Sequence, residues 1–257
     1  ADIAGRRLLV GGNADGGIYA LVAATGEPVW SFALSKRGIN TSVVVSSTNV
    51  YATHSEENVD TTVMGRVVCI DATGAGDVTA THELWRLDGV QVGYASPVIH
   101  GDNLYVVDNS ANLHLIDASS GRLHWTHNIG TVGRGSPVWA DDKLYVTEVN
   151  GFVKILEPSA DSCRELDADR ILRTDGGPAE IFASPAVADG RVYISTEAGL
   201  LCLAPRQPQE QKGMAPQPQV SVGTGEAARI QIVPAEVTMA QGDLAEFSLR
   251  LFDGAGR

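Results

Sequence analysis

The residues of this 257-residue chain that could carry chemistry fall into a few arrangements. Oxygen donors crowd together in Glu56, Glu57, Asn58 and Asp60, and hard cations such as Ca²⁺ take that type of ligand. The ligand order of an EF-hand loop is absent, so the stretch reads as a charged loop tip. Asp108-Asn109-Ser110-Ala111-Asn112 offers similar oxygens but lies between two apolar runs and reads as a turn. The six histidines are scattered, and His124 and His127 flank Trp125 without any paired-ligand motif. The sequence contains neither a Gly-Xaa-Ser-Xaa-Gly elbow nor a phosphate-binding loop. Cys69, Cys163 and Cys202 show neither zinc-site nor redox-pair spacing.

One arrangement has a direct physical meaning. Asp117 is followed after three residues by Gly121 and after three more by Trp125. Asp117 can accept backbone N–H groups in a tight turn that Gly121 permits. Trp125 then begins an outer strand and can pack on a neighbouring unit. A buried indole covers ~150–250 Å², so Trp125→Ala is expected to cost ~3–5 kcal/mol.

The elements that position these residues repeat along the chain. Ser42-Val43-Val44, Ser96-Pro97-Val98, Ser136-Pro137-Val138 and Ser184-Pro185-Ala186 each open a unit. Tyr51, Tyr105, Tyr145 and Tyr193 follow these serines at one fixed offset. A fixed offset recurring at a period of roughly 40–55 residues signals a β-propeller or a related array. Within Ser96 to Asn128, short apolar runs alternate with Gly/Asp/Asn/Ser clusters, the pattern of four short antiparallel strands. Aligned on the repeat, Cys69 and Cys202 share one position and are expected to be buried small hydrophobes, whereas Cys163 falls in a loop as a free thiol.

The units are not identical. Residues 6–34 read as a unit without its first strand, keeping Gly26 and Trp30 at the right spacing but with Val22 in place of the aspartate. The unit at 42–87 carries insertions at His54–Met64 and Gly74–His82, the second displacing Trp85. The unit at 136–172 keeps three strands, has Glu157 at the aspartate position and replaces the tryptophan region with Asp161–Leu166. The last unit, from Ser184, stops before a fourth strand, with Ala204 at the aspartate position. The expectation is about four blades over residues 1–204, forming the C-terminal half of a ring of roughly seven or eight. On that expectation the N-terminal half of the propeller is missing, and the exposed blade edges should drive aggregation or dimerisation. Residues 205–228 read as a Pro/Gln-rich linker too polar to fold. Residues 229–257 resemble the start of a bacterial immunoglobulin-like domain, with strands Arg229–Met239 and Leu244–Phe252 around Gln241-Gly242-Asp243. So short a piece cannot make a sandwich.

A net charge of −12 argues against nonspecific nucleic-acid binding, and no apolar run is long enough to span a membrane. The content of 44% apolar residues suffices for a sizeable core, and 28 glycines suit strands and turns.

The Asp117/Gly121/Trp125 pattern resembles the tryptophan-docking repeat of pyrroloquinoline-quinone (PQQ) type propellers over about residues 6–204. That group includes quinoprotein dehydrogenases and non-catalytic BamB-like lipoproteins. The resemblance implies an all-β partial propeller in which Trp30, Trp85, Asp117, Gly121 and Trp125 build the blades. The leading expectation is a non-catalytic, extracytoplasmic bacterial scaffold that uses no cofactor. It would bind an unidentified protein partner through loops at one mouth of the ring, where Arg37, Asn40, Tyr94, Arg134 and Glu180 are placed. One alternative is a PQQ- and Ca²⁺-dependent dehydrogenase whose key ligands lie outside this chain, with Glu56, Glu57 and Asp60 joining the same mouth. Another is a polysaccharide-binding propeller, for which no specific residue stands out.

Overall fold

The computed structural model describes residues 1–204, 225–240 and 242–254, among which no helix forms. Blade 1 contains β1 (Asp2–Ile3), β2 (Arg6–Gly12), β3 (Gly17–Val22) and β4 (Pro28–Ala33). Blade 2 contains β5 (Val44–Ser46), β6 (Asn49–Glu57), β7 (Met64–Asp71) and β9 (Glu83–Asp88); between the last two, β8 (Gly76–Asp77) leaves the blade. Blade 3 contains β10 (Val98–His100), β11 (Asn103–Val107), β12 (Asn112–Asp117) and β13 (Leu123–Asn128). Blade 4 contains β14 (Val138–Ala140), β15 (Lys143–Thr147), β16 (Phe152–Pro158) and β17 (Cys163–Arg170). Blade 5 has only β18 (Ala186–Ala188), β19 (Arg191–Thr196) and β20 (Gly199–Leu203). The chain is therefore an all-β partial propeller of antiparallel blades.

Runs such as Val67–Ile70 and Leu104–Val107 are apolar at every position because both faces of a middle strand are covered. Side chains alternate across a strand, and here each face of a blade meets a different neighbour. On β7, Val68 and Ile70 join the core shared with blade 1, while Val67 and Cys69 join the core shared with blade 3. On β11, Leu104 and Val106 face blade 2, and Tyr105 and Val107 face blade 4. The hydrophobic cores are thus layers between blades. The last layer is thin, built on Val153, Ile181 and Ile194. On the blade 5 strand β20, Leu200 is 71% exposed and Leu203 41% exposed.

Several expectations are corrected. Blade 1 does have a first strand: Asp2 and Ile3 pair with Arg7 and Arg6 across an Ala4-Gly5 turn. Two paired residues without the serine triplet are too few to register as a repeat. The His54–Met64 insertion extends the hairpin at both its ends, because β6 and β7 continue pairing past a bulge to Glu57 and Met64. The Gly74–His82 insertion places β8 parallel to β4, covering the outer edge of blade 1. Blade 4 keeps a fourth strand, β17, in place of a tryptophan-bearing segment. Within residues 1–204 five sheets form, four of them with at least four strands and the last with three. Cys163 starts β17 and packs on the core between blades 3 and 4, and burial pushes its thiol up to about 11. Cys202 is exposed, since among the described residues no further sheet covers β20, whereas Cys69 is buried with its thiol pushed up to about 12.

Of the expected linker, residues 205–224 lie outside the described residues, as do Gln241 and 255–257. Beyond them, β21 (Arg229–Val233) pairs antiparallel with β22 (Ser248–Phe252), so both strands are shorter than the alternation suggests. Ile230, Leu249 and Leu251 are each at least 60% exposed, because among the described residues no second sheet lies over this two-stranded one.

Candidate functional site: the blade seams and the loop-bearing mouth

The three outer-strand tryptophans sit at one register position, opposite Ala20, Cys69 and Leu115. Each indole reaches into the next blade. Trp30 Nε1 donates to Ala72 O (3.0 Å), Trp85 Nε1 to Ala118 O (2.9 Å) and Trp125 Nε1 to Ser159 O (3.0 Å). Trp30 and Trp85 are 2% and 9% exposed. Trp125 is only half-buried and its bond is open to solvent, so the full truncation cost belongs to the first two. In blade 4, Asp167 takes the tryptophan's register position opposite Ile155 and points into solvent.

Asp117 organises the turn between β12 and β13. Its Oδ1 accepts from the backbone N–H groups of Ser119 (3.0 Å) and Ser120 (2.8 Å) and from both hydroxyls. Those donors hold its carboxyl well below the usual carboxylate range. Gly121 has a φ of +74°, and its missing side chain leaves room for the Trp85 ring. These residues form the joint between blades 2 and 3.

The unit-opening serines have a role that sequence reading missed. Ser42 N–H donates to Ser96 Oγ (2.9 Å), Ser96 N–H to Ser136 Oγ (2.9 Å) and Ser136 N–H to Ser184 Oγ (2.8 Å). The ladder ties the innermost strands of blades 2 to 5 to one another and fixes the entry loops before them. A serine that recurs in step with a tyrosine was the available signal.

Those entry loops interlock with the turns between second and third strands on one face. Ile39 N–H donates to Asn13 O (3.1 Å), Asn109 N–H to Gln91 O (2.9 Å), Gly133 N–H to Asn109 O (3.2 Å), Ile181 N–H to Val149 O (3.2 Å) and Glu197 N–H to Glu180 O (3.0 Å). All five mouth residues singled out from the sequence lie in these loops. Two of them come together, the guanidinium of Arg134 lying 3.9 Å from the ring centroid of Tyr94. The others do not join that pair. Arg37 faces Glu57 at 3.8 Å, Asn40 is exposed on the blade 2 entry loop, and Glu180 is exposed on the blade 5 entry loop. Counting from the serines, Asn40, Tyr94, Arg134 and Phe182 are equivalent, each two residues before its serine. Phe182, passed over in the sequence, is 59% exposed.

Two acidic residues of the His54–Met64 insertion, Glu57 and Asp60, turn toward arginines. Asp60 accepts from Arg66 Nη2 (2.7 Å) and also pairs with Arg86, and these bonds, the Arg66 bond above all, hold its carboxyl down at about 2. Arg66 is almost fully buried and reaches Asp88 as well (2.6 Å). Asn58 is buried and donates to Val63 O at 2.6 Å. Its Oδ1 lies 2.9 Å from Nε2 of buried His54, whose Nδ1 accepts from Glu56 N–H (3.2 Å). Burial pushes the His54 imidazole below its ordinary value. Glu57 faces Arg37, and Glu56 accepts from Ser55 Oγ (3.2 Å).

Two further carboxylates organise the mouth from within. Asp108 accepts from Ser110 N–H, Asn112 N–H and Asn112 Nδ2 and meets His114 Nε2 at 3.1 Å. Glu148 is 2% exposed and accepts from Thr131, Val132 and Asn150. Burial alone would raise its carboxyl, but those hydrogen bonds outweigh burial and lower it. Sequence reading overlooked Glu148 because a buried acid and a solvated one are spelled alike. On the opposite face a cleft of about 590 Å³ opens beside His100, which stacks on Trp139 at 4.1 Å.

Comparison with known proteins agrees with this geometry. Residues 63–170, from β7 to β17, match the family model described as outer membrane protein assembly factor BamB. Among solved structures, BamB from Moraxella catarrhalis superposes with a TM-score of 0.57 at 16% identity, over 77% of this chain and 57% of that one. The computationally designed Ika8 protein gives 0.59 at 12% identity, over 77% and 55%, and a chain of the mitotic checkpoint complex gives 0.61 at 11%, over 78% and 59%. The chain thus spans between 55% and 59% of the lengths of these solved chains. No curated protein sequence matches. Taken together, the blades and their seams make the described chain a partial β-propeller, and its residues 63–170 carry the PQQ-like, BamB-type repeat.

Proposed function

We propose that this chain is part of a non-catalytic scaffold acting outside the cytoplasm, which binds a protein partner through the mouth face of its blades. The observation that carries the reading is the stitching of entry loops to inter-strand turns across successive blades. A platform whose loops are already ordered loses little conformational freedom on binding, and binding residues tend to sit on loops held by a rigid scaffold. The exposed Tyr94 ring stacked on Arg134 is an amphipathic anchor of the kind that dominates binding surfaces. The BamB-like repeat supports a periplasmic, outer-membrane-associated setting. Among the described residues no helix is long and apolar enough to cross a membrane. The net charge of −12 favours encounter with basic partners at long range. In this reading no cofactor is used.

The test is site-specific photocrosslinking in cells, with the crosslinker at Asn40, Tyr94 and Phe182 on the mouth face and at Asp102 and Asp142 on the opposite face. One and the same protein should be captured from the mouth positions and not from the opposite ones. Capture of that protein equally from both faces, or from the opposite face alone, overturns the assignment.

A further inference from the structure

Resting on that scaffold reading, we infer that the mouth of blades 3 to 5 recognises an extended peptide carrying a single carboxylate beside an aromatic or aliphatic side chain. The serine ladder orders Tyr94, Arg134 and Phe182 as successive, equivalent positions around the axis. Tyr94, beneath the Arg134 guanidinium, is 50% exposed, and Phe182, at the equivalent position of the next blade, is 59% exposed.

The state of Arg134 selects the ligand. Its guanidinium lies over the Tyr94 ring, 3.9 Å from the centroid, which restricts where its N–H fork can reach. Nη1 donates to Gly133 O at 3.3 Å, and among the described residues Arg134 makes no ion pair. Three acids of these loops and turns are occupied. Asp108 is saturated by Ser110, Asn112 and His114, and Glu148 is buried under donors from Thr131, Val132 and Asn150. Glu197 faces Arg173 at 3.2 Å. Among the described residues Arg134 is therefore a cation without an acidic partner, and Glu180 on the blade 5 loop is an exposed acid of the same face. A planar carboxylate matches an in-plane guanidinium edge with two parallel hydrogen bonds. The two exposed rings supply apolar contact to the neighbouring side chain. Glu180, exposed on the blade 5 loop, repels a second acid there, so one carboxylate fits and an acidic run does not.

The probe is a phage-displayed library of random nonapeptides panned against the full chain, with selected sequences remade as labelled peptides for fluorescence anisotropy. Enriched peptides should carry one Asp or Glu next to an apolar residue. Their amide counterparts and the Arg134→Gln variant should each bind at least tenfold more weakly. Arg134→Lys, which keeps the charge but not the fork, should recover only part of that loss. Matching melting curves for the variants confirm that folding is unchanged. Enrichment of peptides without an acid, equal binding by Arg134→Gln, or no enrichment at all overturns the inference. If the crosslinks at Asn40, Tyr94 and Phe182 still single out one partner, the scaffold reading survives and only the carboxylate chemistry falls.

Discussion

Gly26 and Gly121 provide a controlled comparison of what a blade seam requires. Both have a φ of +74° and both sit at the same repeat position. At Gly26 a side-chain Cβ would meet nothing within 4 Å, whereas at Gly121 it would lie 2.5 Å from Cε3 and 2.6 Å from Cδ2 of Trp85. Gly26→Ala therefore carries only the left-handed backbone cost of ~1–2 kcal/mol, partly offset by ~0.4–1 kcal/mol from the stiffer unfolded chain. The net is about 1 kcal/mol. Gly121→Ala adds overpacking of ~1–3 kcal/mol. The ring cannot easily give way, because its Nε1 is bonded to Ala118 O at 2.9 Å and Tyr51 packs on it at 5.9 Å between centroids. The total expected is about 3 kcal/mol.

The same argument fixes a coupling. In a Trp85→Ala background the obstacle is gone, so Gly121→Ala should fall back to about 1 kcal/mol, an interaction of ~2 kcal/mol. Urea denaturation followed by far-UV circular dichroism measures all four chains, with the midpoint moving and the slope unchanged if only stability is altered. Equal losses for Gly26→Ala and Gly121→Ala, or a Gly121→Ala penalty that persists without Trp85, would refute the reasoning.

The remaining expectations follow from burial, titration and edge exposure. Trp30→Ala and Trp85→Ala should each cost ~3–5 kcal/mol, while Trp125→Ala, half-buried with a solvent-open bond, should cost about half as much in the same urea assay. Because burial lowers the His54 value below 6.5, stability is full above that pH and is lost as pH falls from 6.5 toward the lowered native value. His54→Gln should flatten this segment of a melting-temperature profile, and an unchanged slope would exclude His54 as its source. Leu200→Lys, on the 71% exposed β20 edge, should leave the melting temperature within ~2 °C while reducing self-association in sedimentation velocity.

What the sequence made legible, and what it hid, follows from how local each constraint is. The Ser-to-Tyr offset and the Asp117/Gly121/Trp125 spacing are visible because each blade repeats the same hairpins and the same seam. The outer strand of blade 4 was hidden because Arg164–Arg170 is exposed along nearly its whole length and lacks a tryptophan to mark it. Nothing local marks Gly76 and Asp77 as a strand; they become one by lying beside Trp30 and Ser31 of another blade. The burial of Cys69 and exposure of Cys202 cannot be told apart from their matching repeat positions, since among the described residues one has a blade on both sides and the other on one side only. At the mouth, Tyr94 and Arg134 stand out individually as loop residues. Their stacking requires two entry loops 40 residues apart to be brought together by the Ser96–Ser136 bond.

That ladder also separates the parts of the repeat that build from the part left free to vary. The serine hydroxyl bonds its neighbour's backbone, and the residue two places earlier contributes nothing to that bond. Across four blades this earlier position holds Asn40, Tyr94, Arg134 and Phe182, a polar amide, a phenol, a cation and an apolar ring. If the position were part of the blade core, such a range of size and charge would disrupt packing by amounts comparable to the stability of a domain. It does not, because the backbone there is held by the serines and by the inter-loop hydrogen bonds, leaving the side chains at the surface. The mouth can therefore change its chemistry blade by blade without a folding cost. This is the physical reason to look for function at Tyr94, Arg134 and Phe182 rather than at the tryptophans.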